Sequence, residues 1–156
     1  MRPNRRPLIA VIGGSLAGVK VKRDAEEVGR LIGERGAILI CGGLGGVMEA
    51  AARGAKRAGG TTIGILPGGR SSDANAFIDI PIVTGMGYSR NVIIVQSASA
   101  VIALPGKFGT LTEIAYAALF EKPVVSLNSW DVVPDIPKAS NPIEAVDWIF
   151  ARIGGP

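Results

Sequence analysis

The sequence contains no histidine. That absence removes Ser–His–Asp and Cys–His nucleophilic sites and every zinc site built on histidine ligands. Acid–base chemistry must then come from carboxylates, lysine, tyrosine or a single thiol. Cys41 is the one cysteine, which excludes an internal disulfide framework and fits a reducing cytoplasm. Next to glycine at the end of an apolar run, it reads as a small buried filler and not as a nucleophile. No apolar stretch reaches the roughly 18–20 residues needed to span a bilayer, and the run Leu8–Ile12 is too short for a signal-peptide core. A soluble, cytoplasmic protein without membrane contact is the expectation.

Charge is also scarce outside one end. The net charge of +4 owes most to Arg2, Arg5 and Arg6. Without them 14 basic residues face 13 acidic ones, so the body is nearly neutral. That balance, with aromatic residues at only 5%, disfavours nucleic acid as a partner, single-stranded DNA included. Residues 1–7 read as a basic N-terminal arm, and 8–156 as one domain. Hydrophobic residues at 47% and charged ones at 19% describe a chain with a substantial core. Glycine is the abundant exception at 22 residues; with no collagen-like period, the glycines are expected at particular turns.

Four short apolar runs each end in such a turn. Leu8–Ile12 leads into Gly13-Gly14-Ser15, and Ala37–Cys41 into Gly42-Gly43-Leu44-Gly45-Gly46. Thr61–Leu66 leads into Pro67-Gly68-Gly69-Arg70, and Ala100–Leu104 into Pro105-Gly106-Lys107-Phe108-Gly109. Val124–Leu127 is a fifth candidate strand, and Ile78–Val83, interrupted by Pro81, a weaker sixth. Amphipathic helices are expected at Lys22–Gly36, Gly46–Ala58, Thr110–Phe120 and Asn141–Arg152. The third should turn Leu111, Ile114, Ala115, Ala118 and Leu119 inward. Segment 86–98 has strand propensity in Val92–Val95 but reads as a buried helix, because another strand follows at once. The alternation predicts an α/β fold: a single Rossmann-like, doubly wound parallel sheet with helices on both faces. Strand–helix turns in that architecture gather at the carboxyl edge of the sheet, where ligands bind.

Glycine turns that open helices present free amides and the positive end of the helix dipole, both suited to phosphate. Two familiar phosphate motifs fail here. Ser15 occupies the middle glycine position of a dinucleotide fingerprint, and Gly106-Lys107 is followed by Phe108, not by the Ser or Thr of a P-loop.

The run Pro105-Gly106-Lys107-Phe108-Gly109-Thr110-Leu111-Thr112-Glu113 resembles the Pro-Gly-Gly-x-Gly-Thr-x-x-Glu signature of the "lonely guy" family. Those Rossmann-like proteins are cytokinin-activating phosphoribohydrolases, long misnamed lysine decarboxylases. Gly42–Met48 is similar to that family's second glycine turn, the stretch Ala58–Pro67 follows its Ala-Gly-Gly-x-x-Ile-Gly-x-x-Pro pattern, and Arg90 matches its arginine ahead of the signature strand. Glu49 and Asn91 make the chain look closest to a branch related to the molybdenum cofactor carrier proteins. Lys107 departs from the family glycine, although its ammonium can meet a phosphate.

The resemblance implies a site in which Gly13, Ser15, Gly43, Gly45, Gly46, Met48, Pro105, Gly106, Lys107, Gly109 and Thr110 bind a phosphate-bearing ligand. Glu113 would orient water or stabilise charge at the anomeric carbon, and Arg90 would clamp phosphate or ribose through its planar fork. Each has a plainer alternative. Thr110-Leu111-Thr112-Glu113 fits a helix capping box, Arg90 fits a surface salt bridge, and Glu49 fits an ion pair with Arg53. The ligand expected is a small molecule: a nucleotide, phosphate or molybdopterin-type compound, with no required cofactor and no metal. A binder or carrier is the leading function, and hydrolysis of a nucleoside 5′-monophosphate to base and ribose 5-phosphate is the alternative. Nothing marks a Schiff-base lysine for decarboxylation. A homo-oligomer is implied by the resemblance.

Overall fold

The computed structural model describes residues 5–154. Six strands, β1 (Leu8–Ile12), β2 (Ile38–Cys41), β3 (Thr61–Leu66), β4 (Ile80–Val83), β5 (Ala100–Ala103) and β6 (Val124–Ser126), form one sheet in the order β4-β3-β2-β1-β5-β6. Every neighbouring pair is parallel. The five α-helices are α1 (Val19–Glu34), α2 (Val47–Arg57), α3 (Asn91–Ser97), α4 (Phe108–Leu119) and α5 (Pro142–Arg152). The expected α/β fold is therefore present, including Ile80–Val83, which tolerates Pro81 because it is an edge strand.

Strand residues alternate between two cores. Ile9, Val11, Leu39 and Ile102 pack with α1, α2 and α5. Ala10, Ile12, Ile40 and Val101 pack on the other face with α3 and α4. Alternation of this kind follows from the two-residue period of a strand, and burial on both faces explains why the strands read as unbroken apolar runs.

Helices α1 and α2 touch through their backbones. A Cβ on Gly29 would stand 1.9 Å from the Ala51 carbonyl oxygen, and one on Gly54 would stand 1.9 Å from that of Glu26. Small residues thus set the crossing distance, and Arg53 and Arg57 both pair with Glu26 across its rim. Arg53 is accordingly engaged between helices and not with Glu49 on its own helix. Helix α5 starts as its sequence requires, with the Asn141 side chain accepting from the Glu144 amide at 2.9 Å and Pro142 in the first turn.

Segment 86–98 is indeed helical, a short 3-10 turn over Gly87–Arg90 running into α3. Two expectations fail on helix register. Helix α1 begins at Val19, three residues early. Helix α4 begins at Phe108 with Lys107 as its N-cap, so Thr110 lies inside the first turn and no Thr110–Glu113 capping box exists. The buried face also differs from the expected one and comprises Thr110, Glu113, Ile114 and Ala117. Ala115 and Ala118 are exposed instead of inward, and Leu119 is 71% exposed. At the amino end, Arg2 lies outside the described residues, whereas Arg6 donates to the Gly36 carbonyl at 2.8 Å and to Thr61 Oγ1 at 3.2 Å. Among the described residues no helix is long and apolar enough to cross a membrane.

Candidate functional site

From β1 the chain winds outward through β2, β3 and β4, then returns to add β5 and β6 on the other side of β1. The order reverses between β1 and β5, and beyond the carboxyl ends of such a strand pair lies the natural ligand crevice of an open α/β sheet. A cleft of 530 Å³ opens there, walled by Gly13–Leu16 after β1, Gly42 and Leu44 after β2, Met48, Tyr88, Arg90 and Asn91, and Gly106–Thr110 with Thr112 and Glu113.

Gly14 holds the floor together. Its amide donates to the Pro105 carbonyl at 2.9 Å, and its carbonyl accepts from the Val47 amide at 2.9 Å. The turns after β1 and β5 and the start of α2 are thereby locked to one another. Gly106 has to be glycine for the same reason, since a Cβ would stand 2.0 Å from Thr110 Oγ1 and 2.8 Å from the Gly14 amide nitrogen. The amides of Phe108, Gly109 and Thr110 open α4 and have no acceptor within the helix.

Arg90 is 6% exposed and serves as the anchor of the opposite wall. Its Nε donates to the Ile65 carbonyl at 2.8 Å, one terminal nitrogen donates to the Gly42 carbonyl at 3.3 Å, and the other donates to Asn91 Oδ1. Burial pulls its pKa below the ordinary arginine value, and the nearby Glu113 opposes that shift. The surface salt bridge considered for Arg90 does not occur; it ties β2 and β3 to α3 while two of its five N–H groups remain uncommitted. Asn91 extends the tie, since its amide donates to the Gly109 carbonyl at 3.3 Å and to Thr112 Oγ1 at 3.2 Å. A lysine at position 91 would supply no acceptor for Arg90.

Glu113 is 7% exposed, sits on the second turn of α4 and faces the cleft. Burial raises its pKa to about 8, against a smaller lowering by the Arg90 charge. Burial thus favours the protonated Glu113 carboxyl, which in that form can donate as well as accept a hydrogen bond in the cleft.

Of the residues expected in the site, Gly13, Ser15, Met48, Arg90, Gly106, Lys107, Gly109, Thr110 and Glu113 line this cleft. Gly43, Gly45, Gly46 and Pro105 do not. Gly43 has φ of 77° and packs on Leu66, and Gly46 has φ of 61° with a Cβ position 2.2 Å from the Gly14 carbonyl oxygen. Their glycines serve chain packing. Pro105 contributes its carbonyl to Gly14, and Gly45 lies against the Ser15 carbonyl. Sequence reasoning passed over Leu16, Tyr88 and Phe108, which reach the cleft from the turn after β1, the 3-10 turn before α3 and the first residue of α4. Cys41 is fully buried, with burial pushing its thiol up to about 12, an inert filler as expected. Among the described residues no group of three or more Cys, Asp or Glu side chains is placed to hold a metal.

The family model described as LDcluster4, SLOG cluster4 family, matches residues 6–147. The structure of the molybdenum cofactor binding protein of Rippkaea orientalis superimposes with a TM-score of 0.91 at 38% identity, covering 96% of this chain and 99% of that one. The molybdenum cofactor carrier protein of Chlamydomonas reinhardtii superimposes with a TM-score of 0.81 at 35% identity, over 92% and 95% of the two chains. The cytokinin riboside 5′-monophosphate phosphoribohydrolase of Mycobacterium tuberculosis is 36% identical over 118 residues, 68% of this chain and 62% of that enzyme.

Proposed function

The chain belongs to the SLOG cluster4 family, and from that premise we propose that it binds a small phosphate-bearing ligand, a nucleotide or a molybdopterin-type compound, in the cleft between β1 and β5. The observation that carries the proposal is the meeting of the Gly13–Leu16 and Gly106–Thr110 turns at the point where strand order reverses. The amides that open α4 supply donors and the positive end of its dipole. Glu113 adds a carboxyl whose burial favours the protonated form, which does not repel an anion, and the exposed Lys107 lines the same cleft as a counter-charge. The likeness to molybdenum cofactor binding and carrier proteins over nearly the whole chain favours a binder.

Hydrolysis of a nucleoside 5′-monophosphate is the second reading, favoured by Glu113 and by the phosphoribohydrolase relative. With its pKa near 8, Glu113 would protonate the departing base. Stabilising a ribosyl cation as a carboxylate would require it to be ionised first. Thermal stabilisation by nucleoside monophosphates and pterin phosphates, without release of free base above that of Glu113→Gln, is the expected result. Base release lost in Glu113→Gln would establish the hydrolase instead, and no stabilisation by any member of the panel would contradict both.

A homo-oligomer in the cytoplasm is part of the same proposal. Its support is the outward stripe of α4, where Ala115, Ala118 and Leu119 are exposed, together with the lone buried thiol of Cys41. Light scattering of the protein and of Leu119→Glu tests it: a multimer dissociated by the substitution is expected, and a wild-type monomer would refute it.

A further inference from the structure

The cleft is polar at its base and apolar at its mouth, and the apolar part is unusual. Leu16, Tyr88 and Phe108 are 84%, 82% and 76% exposed, among the most exposed large hydrophobic side chains in the described residues. They come from three separate segments, the turn after β1, the 3-10 turn before α3 and the first residue of α4, and all three line the same cleft. Scattered exposed hydrophobics need no explanation, but a ring of them around a single opening does.

Two members of the ring are aromatic, and one of them is backed by a second ring. Phe108 stacks on Trp130 with centroids 6.1 Å apart and planes at 24°, while Trp130 donates its indole N–H to the Lys107 carbonyl at 3.0 Å. One face of Phe108 is thus backed by a fixed ring. Tyr88 lies two residues before the anchored Arg90, and its ring comes within 3.9 Å of where a Gly109 Cβ would stand. Both aromatics therefore flank the first turn of α4, whose amides are the candidate phosphate donors.

We propose that Tyr88 and Phe108 form an aromatic clamp that selects the planar ring of the ligand, while the Gly106–Thr110 turn takes its phosphate. The clamp rests on the phosphate-ligand reading given above and adds what that reading lacks, a reason to prefer a ligand with a flat heterocycle over a bare sugar phosphate. Flat rings of any kind present a π-face, so a pterin or a purine satisfies it equally. Leu16 closes the third side of the mouth by apolar contact.

AMP and ribose 5-phosphate share a phosphate and a sugar and differ in the ring, which makes them the probes. Calorimetric titrations of both are compared for the unsubstituted protein, Tyr88→Ala, Phe108→Ala and the ring-retaining pair Tyr88→Phe and Phe108→Tyr. Each alanine variant is expected to weaken AMP by about 5- to 100-fold, the range of a lost base–aromatic stack, and to leave ribose 5-phosphate within about twofold. The ring-retaining variants should keep the preference for AMP. Equal losses for both probes, accompanied by a change in mass on light scattering, would mean that the aromatics seat a second copy of the chain, and would overturn the clamp. Unchanged AMP affinity in both alanine variants would overturn it too, while leaving phosphate binding intact. If neither probe binds the unsubstituted protein, the phosphate-ligand reading falls and the clamp with it.

Discussion

The glycine turn after β2 and the glycine turn after β5 look alike in sequence and do different work. In Gly42–Gly46 the missing side chains make room for other parts of the chain: Leu66 beside Gly43, Gly14 and Ser15 beside Gly46. Both Gly43 and Gly46 also adopt positive φ, which favours glycine regardless of space. In Pro105–Gly109 only Gly106 is forced by a neighbour. A Cβ on Gly109 would meet nothing closer than Asn91 Nδ2 at 3.7 Å, an ordinary contact, and it would stand in the cleft. Glycine content therefore reports close chain approach at one turn and open cleft space at the other.

Substitution can break that contrast. Gly46→Ala carries the largest expected effect, because it combines a left-handed backbone with a Cβ 2.2 Å from the Gly14 carbonyl oxygen. A loss of about 4 kcal/mol in urea unfolding is expected, and a loss below about 1 kcal/mol would show the β2 turn to be no tighter than the β5 turn.

Next comes the pH dependence written into the cleft side. The Glu113 carboxyl titrates near the ordinary glutamate value of 4.5 when unfolded and is pushed up to about 8 by burial when folded. Between those values the unfolded chain binds fewer protons, so this group's contribution makes stability fall as pH rises, and the fall ends above pH 8. A decline of order 3 kcal/mol is expected, abolished in Glu113→Gln. The same slope in the variant would assign it to another group.

Gly109→Ala sits at the other extreme. A helix interior gains from alanine, so stability should change by less than about 1 kcal/mol, and upward if at all. Equal damage from Gly109→Ala and Gly46→Ala would erase the distinction between the turns. The smallest effect is a null one: Cys41, beneath the β2 turn, should resist thiol reagents at pH 8 until the protein unfolds, and labelling of the folded chain would mean that turn opens.

All six strands were legible: burial on both faces leaves apolar runs in β1, β2, β5 and β6, whereas the exposed edge strand β4 showed only as the weaker run interrupted by Pro81. The cleft was half legible. Glycine turns together with the family resemblance pointed to Gly13, Ser15, Gly106, Gly109 and Glu113, yet they could not separate a glycine that lines the cleft from one that makes room for Leu66. Helix α4 was misread by two residues because Thr110-x-x-Glu113 mimics a capping box, while the actual cap, Lys107, carries no capping side chain. Since α4 is apolar on nearly every face, its sequence offered no periodicity to correct the register. Tyr88 and Phe108 stayed invisible because their significance is their exposure, which only the folded chain defines.

The central claim is that the open β5 turn, not the packed β2 turn, receives the phosphate. Titrating AMP calorimetrically into the wild-type protein and Gly109→Ala tests it most directly, with the urea midpoint of each measured alongside. Saturable binding to wild type, weakened at least about 10-fold in Gly109→Ala at an undiminished urea midpoint, is the predicted result. Equal AMP affinity in the two proteins would contradict it.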